Sequence, residues 1–318
     1  MGYWKVSTET LVRSRFAVSP LAETVGAAMA LHKRRRQPGL ESWHRAHQPA
    51  FDRYLASDPF AQAFVDAAIR RHSVADFIVP PPLRADRTFH DELRRVRATA
   101  ADAALSDLAA AQDDLTGTLL DTPDVAERCA DVLEWVWTHT VRPDWPRRRR
   151  VLEADIVART QQLSATGWAA ALEQMRPGLR WLGAGRLRIN AYDNPPREIA
   201  DADLLFIPVT ARHDWVTWDE PRRYAVIYPC SGLLVSEPST PVPEALRRLL
   251  GPARATVLSL LDAPKSTSQL VALTGYGLGS VGGHLRVLLD ARLVRRSRSG
   301  RSVLYYRTDL ADALVRPD

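Results

Sequence analysis

Apolar residues recur at helical spacing through most of the first 175 residues. The first clear helix start is Ser19-Pro20, an N-cap residue followed by proline at the first helical position, and an apolar stripe follows it, at Leu21, Val25, Ala28, Met29 and Leu31. The basic run 33–36, before Pro38-Gly39, is predicted to end this helix, because cations there offset the negative end of the helix dipole. Further helices are predicted over about 41–70, 88–112, 123–140 and 147–175, with an interruption at the three prolines of 80–82.

Between about 185 and 235 the pattern changes to short apolar runs separated by turn residues. The runs span residues 187–190, 204–207 and 224–228, and they predict a small sheet appended to the helices. Three prolines within 237–243 favour an extended connector. A chain of 318 residues exceeds the usual size of one core, so we predict a regulatory and dimerisation domain, a connector and a second domain, over 1–236, 237–243 and 244–318.

The part after the connector is predicted to contain two helices joined by a tight turn. A first helix lies around 252–261, and Ser266, Thr267 and Ser268 cap a second that ends at Thr274-Gly275. A third helix carries Leu278, Val281, Leu285 and Leu288 as one buried stripe. The residues predicted to face outward from this third helix are Gly279, Gly282, Gly283, Arg286 and Asp290.

Two strand-like runs follow, over 293–298 and 302–307, about a tip at Ser299-Gly300-Arg301. Helix, tight turn, helix and hairpin in this order make a winged helix. Its second helix enters the major groove of DNA, and the hairpin grips the flanking backbone or the minor groove. The predicted fold class is therefore mainly α with small β: a helical N-terminal domain with a small appended sheet, plus a C-terminal winged helix-turn-helix domain.

Residues 250–309 resemble the winged-helix domain of the ArsR family of bacterial regulators, notably over 280–289 and 300–307. Upstream, Arg15-Phe16, Ser19-Pro20-Leu21 and Ile227-Tyr228-Pro229 resemble the long N-terminal region of actinobacterial ArsR-like regulators. The resemblance implies a homodimer that reads an inverted-repeat operator in double-stranded DNA and usually represses transcription until a signal releases it. The resemblance does not specify whether that signal is a small-molecule effector.

Members of that family commonly carry a serine and a larger polar residue where this chain has Gly282 and Gly283. Side-chain contacts to bases cannot form at these two positions, and a glycine inside a helix costs up to about 1 kcal/mol relative to alanine. One interpretation is a close approach of the helix backbone to DNA, with Ser280, His284 and Arg286 as the polar contacts. The other is a frayed helix start with no such role.

Positive charge is concentrated at the C-terminal end. The net charge is +6, and the residues after Pro243 hold 12 basic and 6 acidic side chains, against 31 of each before it. Arginine suits phosphate and guanine, so the predicted DNA contacts include Arg286, Arg295, Arg296, Arg298 and Arg301. The other predicted contacts are Thr267, Ser268, Ser280, Gly282, Gly283 and His284. The alternative is that arginines on an edge hairpin only confer solubility.

Other features exclude or leave open further functions. Two cysteines, Cys129 and Cys230, are too few for a disulfide framework or a cysteine-rich zinc site, and a single histidine in the winged helix argues against a metal sensor. No catalytic motif is present, so we expect neither an enzyme nor a cofactor. His44 and His47 are one helical turn apart, but no third metal ligand is indicated. The absence of a leader and of a long apolar run predicts a cytoplasmic, nucleoid-associated protein without membrane contact.

Three alternatives stay open from the sequence. The arginine run 147–150 is interpreted either as a solvated face or as a contact to flanking DNA or an acidic partner. All nine tryptophans precede the connector, where they form core packing or line an effector pocket to which no residue can be assigned. The winged helix could also serve as a protein-interaction module without specific DNA binding, and an enzyme or ligand carrier is a third class.

Overall fold

A computed structural model describes the chain except for some short stretches. It covers residues 2–34, 40–70, 74–109, 115, 117–173, 175–190, 195–199, 201–230, 242–262, 265–299 and 302–315. Within these ranges, the side chains of residues 158, 161, 165, 262, 268, 269, 272, 298, 299 and 302 lie outside the description. The described chain is mostly helical with small sheets, which confirms the mainly-α prediction at this level.

The chain divides into two compact units. The larger unit contains residues 1–146 and 168–230, and the smaller unit contains 147–167 and 231–318. The predicted N-terminal domain, 1–236, differs from this division in the segments 147–167 and 231–236. The first difference arises because a continuous helical pattern in the sequence does not indicate which neighbours the helix packs against. Of the predicted connector, 237–241 lies outside the described residues.

The helices and strands are as follows. The helices are α1 (Thr8–Arg13), α2 (Pro20–Lys33), α3 (Glu41–Ser57), α4 (Pro59–Ala68), α5 (Phe89–Arg97), α6 (Ala101–Ala109), α7 (Val125–Val136), α8 (Trp145–Glu173), α9 (Glu244–Leu250), α10 (Pro252–Ser259), α11 (Thr267–Thr274), α12 (Leu278–Asp290) and α13 (Asp309–Val315). The strands are β1 (Tyr3–Lys5), β2 (Arg15–Phe16), β3 (Arg180–Trp181), β4 (Arg186–Arg188), β5 (Arg197–Glu198), β6 (Asp203–Val209), β7 (Trp215–Asp219), β8 (Arg223–Pro229), β9 (Lys265–Ser266), β10 (Val294–Ser299) and β11 (Ser302–Arg307). A π-helix over Trp137–Val141 continues α7, and α8 is interrupted at Gly167, where φ is +76°.

Helix α2 is the central helix of the larger unit. Its start is as predicted, since the Ser19 side chain accepts a hydrogen bond from the backbone N–H of Ala22 and Pro20 occupies the first turn. Every residue from Pro20 to Leu31 is buried, so the helix is enclosed on all sides and not only along the predicted stripe. It ends at Lys33 with Arg34 as its C-cap; residues 35 and 36 of the basic run lie outside the described residues.

Two glutamate side chains are buried at α2. Glu92 of α5 accepts hydrogen bonds from the Ser19 hydroxyl and from the backbone N–H of Leu21, at the positive end of the α2 dipole. Glu23 accepts from the backbone N–H of Thr210 at 2.8 Å, which joins α2 to the end of β6. These bonds tie the helix to both of its neighbouring layers.

Replacing Glu92 with glutamine is expected to reduce the loss of stability at alkaline pH. Burial, which outweighs the hydrogen bonds from Ser19 and Leu21, raises the pKa of Glu92 from 4.5 to about 8. Because the folded pKa exceeds the unfolded one, the stability that the group contributes is present below about pH 4.5 and is lost as the pH rises through about 8. Urea unfolding from about pH 6 to 9 should give a flatter decline in the free energy of unfolding for Glu92→Gln than for the wild type.

Part of this decline remains in the variant, since burial also raises the pKa of Asp76 to about 8. Equal slopes for wild type and variant would contradict this assignment.

Two four-stranded sheets lie in the larger unit. One has the order β2-β6-β8-β7, with β6 parallel to β2 and β8, and the other has the order β3-β4-β1-β5. The three predicted strand runs correspond to β4, β6 and β8. The expectation of one small sheet from 185–235 is incomplete, because β1 and β2 come from the first 16 residues and are too short to show alternation.

The C-terminal part of the smaller unit has its own core. Helices α10, α11, α12 and α13, the turn after α10 and the start of β10 with the residue before it contribute its buried apolar residues, which are Val257, Leu258, Leu261, Leu270, Val281, Leu285, Leu288, Leu293, Val294 and Ala311. Strands β9, β10 and β11 form an antiparallel sheet in the order β10-β11-β9. The predicted helices and hairpin are confirmed here, whereas α9, β9 and α13 were not predicted.

Candidate nucleic-acid interface

Helices α11 and α12 are joined by a turn of three residues. Gly275 has a φ of +72°, a left-handed conformation that glycine adopts without steric cost, and its N–H donates to the carbonyl of Val271. Val281, Leu285 and Leu288 anchor α12 in the core, with Leu285 only 1% exposed. The opposite side of α12 is thereby held towards solvent.

The face of α12 that the sequence predicted to be outward is exposed. Gly279, Gly282, Gly283, Arg286 and Asp290 are all exposed, as predicted. The prediction that Leu278 belongs to the buried stripe is wrong, since this side chain is 63% exposed. Leu278 is the first residue of α12, and a helical side chain leans towards the N-terminus, so it projects past the core that covers the following turns.

Side chains at i and i+4 lie on the same side of a helix, so the exposed face of α12 consists of three rows. Gly279 and Gly283 form the middle row. An added Cβ would meet no atom within 4 Å at Gly279, Gly282 or Gly283, so nothing in the described chain requires glycine at these positions. The first two turns of α12 therefore present bare backbone along the centre, and Val287 continues the middle row one turn later.

Polar side chains flank the glycines on both sides. Ser280 and His284 form one flanking row, with the Ser280 hydroxyl 3.2 Å from Nε2 of His284. Arg286 lies on the other side, one turn after Gly282, and makes no ion pair with the described residues. Val287, which the sequence analysis missed, is 46% exposed on the same face and is the kind of apolar group that contacts a thymine methyl.

The hairpin β10–β11 places arginines on both of its faces. Arg295 pairs in register with Tyr306 and Arg296 with Tyr305, and successive side chains of a strand point to opposite faces. Both arginines are exposed and have no ion pair within the described part of the chain. Arg298 pairs in register with Val303, but its side chain lies outside the description, as do Gly300 and Arg301 at the predicted tip.

Arg292 is a further exposed cation that the sequence analysis missed. It follows α12 with a φ of +57°, its N–H donates to Leu289 O, and the N–H of Leu293 donates to Leu288 O. These two bonds define a Schellman helix end, whose left-handed position is normally glycine. A non-glycine residue there costs about 1–2 kcal/mol, and the arginine places an exposed cation between α12 and β10. The short spacing between the stripe and the following strand indicates a helix end near this position, but only the backbone shows that Arg292 occupies the left-handed position.

Two remaining predicted contacts lie at the start of α11. Thr267 is the first residue of that helix and is half-buried, and the side chain of Ser268 lies outside the described residues. Thr267 therefore presents only part of its side chain to a ligand.

The arginine run at the start of α8 is not a uniform surface. Arg148 is 1% exposed, and Arg149 pairs with Glu153 at 2.8 Å, whereas Arg150 is exposed. Two of the four cations are thus engaged within the helix or buried. Arg147 is half-buried.

Comparisons with protein-family models, with curated proteins and with solved structures find no match. The resemblance to the ArsR family stays a prediction, and function has to be argued from the geometry above. Among the described residues, no helix combines the length and the apolar character that crossing a membrane requires. The same residues contain no group of three or more His, Cys, Asp and Glu side chains that could hold a metal ion.

Proposed function

We propose that the protein is a sequence-specific DNA-binding transcriptional regulator whose smaller unit carries a winged helix-turn-helix domain. The observation that carries this proposal is the exposed face of α12, bare at its centre and flanked by Ser280, His284 and Arg286, on a helix followed by a hairpin with exposed arginines. The element order β9-α11-α12-β10-β11, with strands arranged β10-β11-β9, supports the winged-helix assignment. In this assignment α12 is the recognition helix and β10–β11 is the wing.

The division of charge between the two units supports the same proposal. The smaller unit holds 17 arginines and lysines against nine carboxylates, whereas the larger unit holds 26 against 28. Neutralising DNA phosphates needs a local excess of cations, while solubility alone does not require charge to collect in one unit. The smaller unit is therefore the one suited to a polyanion.

Each part of the surface then has a distinct task. The glycines of α12 let its backbone approach the major groove closely, and Arg286 can donate two hydrogen bonds to guanine O6 and N7. Arg295 and Arg296, on opposite faces of the wing, suit the two phosphate walls of a minor groove. With few side chains available for base edges, DNA shape contributes a large share of specificity. As a working assembly we propose a homodimer that reads an inverted repeat and represses transcription.

The proposal is tested by the binding of purified protein to the DNA upstream of its own gene. Fluorescence anisotropy at about 0.15 M salt should give a Kd in the nanomolar to sub-micromolar range, at least about 1,000-fold tighter than for unrelated DNA. Footprinting should then protect two half-sites about one helical turn apart, centre to centre. Equal affinity for upstream and unrelated DNA would refute a sequence-specific regulator and favour a protein-interaction role for the same domain.

Replacing Gly282 and Gly283 with alanine is expected to raise stability and weaken DNA binding. Each substitution should stabilise α12 by up to about 1 kcal/mol, because alanine is the better helix former and its methyl group meets open space. The same methyl groups would separate the helix backbone from the DNA. Thermal unfolding and anisotropy measure the two effects on one sample. A gain in stability with unchanged DNA affinity would contradict close backbone approach.

A further inference from the structure

A cavity of about 270 Å³ opens between α2, α3 and α4 of the larger unit. Its volume is slightly below the range of roughly 300–1,000 Å³ that is usual for small-molecule sites, so the ligand has to be small. The cavity is lined by Leu31, His32, Arg34, Phe51, Asp52, Leu55, Ala56 and Gln62. None of the tryptophans that were candidates from the sequence lines it.

The floor of the cavity is apolar and rigid. Leu31, Phe51 and Leu55 are 0%, 1% and 7% exposed, and all three belong to the main core of the larger unit. Such residues keep their positions whether or not a ligand is present, because they are packed on their other sides. Because they expose almost no surface, they close the bottom of the cavity and leave its polar groups as the main contacts for a ligand.

An adjacent pair of opposite charges lies at the mouth. Nη2 of Arg34 is 3.0 Å from Oδ1 of Asp52, and Oδ1 also accepts from Nε2 of Gln48 at 2.9 Å. Among the described residues, Oδ2 of Asp52 accepts no hydrogen bond, and the Arg34 guanidinium has donors to spare. The Arg34 side chain is 69% exposed. Each charge can thus accept a second partner without breaking the pair.

Arg34 holds this position at a cost. It caps α2 with a φ of +47°, the left-handed region in which glycine is favoured and other residues lose about 1–2 kcal/mol. An exposed ion pair returns about 1 kcal/mol or less, so the contact with Asp52 does not by itself account for the choice of arginine.

We propose that this cavity binds a small zwitterion of the α-amino-acid class. The carboxylate of such a ligand would accept from Arg34 and its ammonium would donate to Oδ2 of Asp52, above the floor that Leu31, Phe51 and Leu55 close. The two charges of an α-amino acid are separated by one carbon atom, which matches the close spacing of the Arg34–Asp52 pair. A ligand with one charge would leave one member of the pair without its second partner.

The opposite side of the mouth adds hydrogen-bonding groups. Nε2 of Gln62 donates to Asp66 at 2.8 Å, and Nε2 of His32 lies 3.6 Å from the same carboxylate. Burial lowers the pKa of His32, more than the neighbouring Asp66 raises it, so the ring is neutral at pH 7. This side supplies polarity without a further cation, and the charge balance at the mouth remains set by Arg34, Asp52 and Asp66.

The first experiment compares three matched probes on the free protein. Calorimetry and thermal shift of the full chain would be run with L-phenylalanine, 3-phenylpropionate, which lacks the ammonium, and phenethylamine, which lacks the carboxylate; L-leucine tests the aliphatic case. We expect at least one of the two amino acids to bind. If L-phenylalanine is the better ligand, it should bind about tenfold or more tightly than 3-phenylpropionate or phenethylamine. Absence of binding by both amino acids at roughly 10 mM, or equal binding of zwitterion and single-charge analogue, would overturn the proposal.

Variants separate a loss of the site from a loss of fold. Arg34→Gly removes the guanidinium and relieves the left-handed backbone, so the protein should stay folded with an equal or higher Tm while ligand affinity falls about tenfold or more. Asp52→Asn keeps the shape of the mouth and should reduce affinity similarly. Arg53→Ala, an exposed neighbour on α3, is the control and should leave binding unchanged. Wild-type affinity in Arg34→Gly would exclude this cavity as the site.

A role of this ligand as effector rests on the proposed DNA-binding function. Saturating ligand is expected to change the affinity for upstream DNA by about fivefold or more, and Arg34→Gly should abolish that change. Because ligand binding is measured without DNA, a protein that binds ligand but no DNA would overturn the proposed function and leave the site standing. Ligand binding with no effect on DNA affinity would overturn the effector role alone.

Discussion

The joint substitution of Arg292, Arg295 and Arg296 with alanine is expected to weaken DNA binding by roughly 100-fold at about 0.1 M salt. Each phosphate contact releases condensed counterions, so the affinity falls with salt by about 0.9 logarithmic units per contact and per decade of concentration. Three lost contacts should reduce the slope of log K against log salt by about two to three. Anisotropy titrations at several salt concentrations measure both quantities.

The control removes three exposed arginines of the larger unit, Arg45, Arg53 and Arg87. This variant has the same change in net charge, so a nonspecific effect of charge would lower the affinity equally in both proteins. We expect the control to retain the wild-type salt slope within about half a unit. Arg292→Gly alone should keep or raise stability while lowering affinity, because glycine suits the left-handed helix end. An unchanged salt slope in the triple variant would remove the wing from the binding surface.

Arg286→Ala should behave differently from the wing variants. Arg286 lies on the exposed face of α12, where a bidentate contact to guanine is worth about 1–3 kcal/mol of discrimination. Its loss should therefore reduce the ratio of affinities for upstream and unrelated DNA more than it reduces the salt slope. This difference separates base reading from phosphate contact within one domain.

Replacing Leu285 with alanine is expected to destabilise the smaller unit by about 2–5 kcal/mol. Leu285 is 1% exposed and packs in the ten-residue core of that unit, so its truncation leaves a cavity that rigid neighbours fill only in part. A domain of this size has about 5–15 kcal/mol of total stability, so the loss is a large fraction. DNA binding should fall in parallel, because α12 is positioned by this side chain.

The unfolding of the smaller unit can be followed separately. All nine tryptophans lie in the larger unit, so tryptophan fluorescence reports on that unit, whereas far-ultraviolet circular dichroism reports on both. In Leu285→Ala we expect a transition by circular dichroism at lower urea than the transition by fluorescence. Leu278→Ala is the matched control: because Leu278 is 63% exposed, its loss should cost no more than about 0.5 kcal/mol. Equal destabilisation by the two variants would contradict the burial difference within α12.

The sequence predicted most of the helices and the hairpin because these elements depend on local patterns. The N-cap at Ser19 and the buried positions Val281, Leu285 and Leu288 could be recognised without knowledge of neighbouring elements. The strands β1 and β2 could not, since two or three residues carry no periodicity and become strands only beside distant partners. For the same reason, the sequence predicted one sheet in the larger unit, whereas the structure has two.

For the candidate interface, the outward face of α12 and the arginines of the wing were predictable from spacing alone. Leu278 was misassigned because the spacing of a stripe does not show where the helix begins relative to the core. The first turn of a helix can project beyond the core that covers the later turns. Arg292 was missed because a left-handed helix end with arginine is apparent only from the backbone. Ser280 and His284, predicted as separate contacts, are joined by a hydrogen bond that spacing alone did not identify.

The sequence by itself determined the glycine-lined face, the concentration of positive charge and the order of elements, since composition and short-range periodicity specify all three. Only the tertiary structure decided which helix segments form each unit, which stripe residues are covered, and how Arg34 meets Asp52 across the mouth of a cavity. Those features arise from contacts between residues far apart in the chain or from a backbone conformation at a helix end. Such contacts carry no signal in the spacing of neighbouring residues.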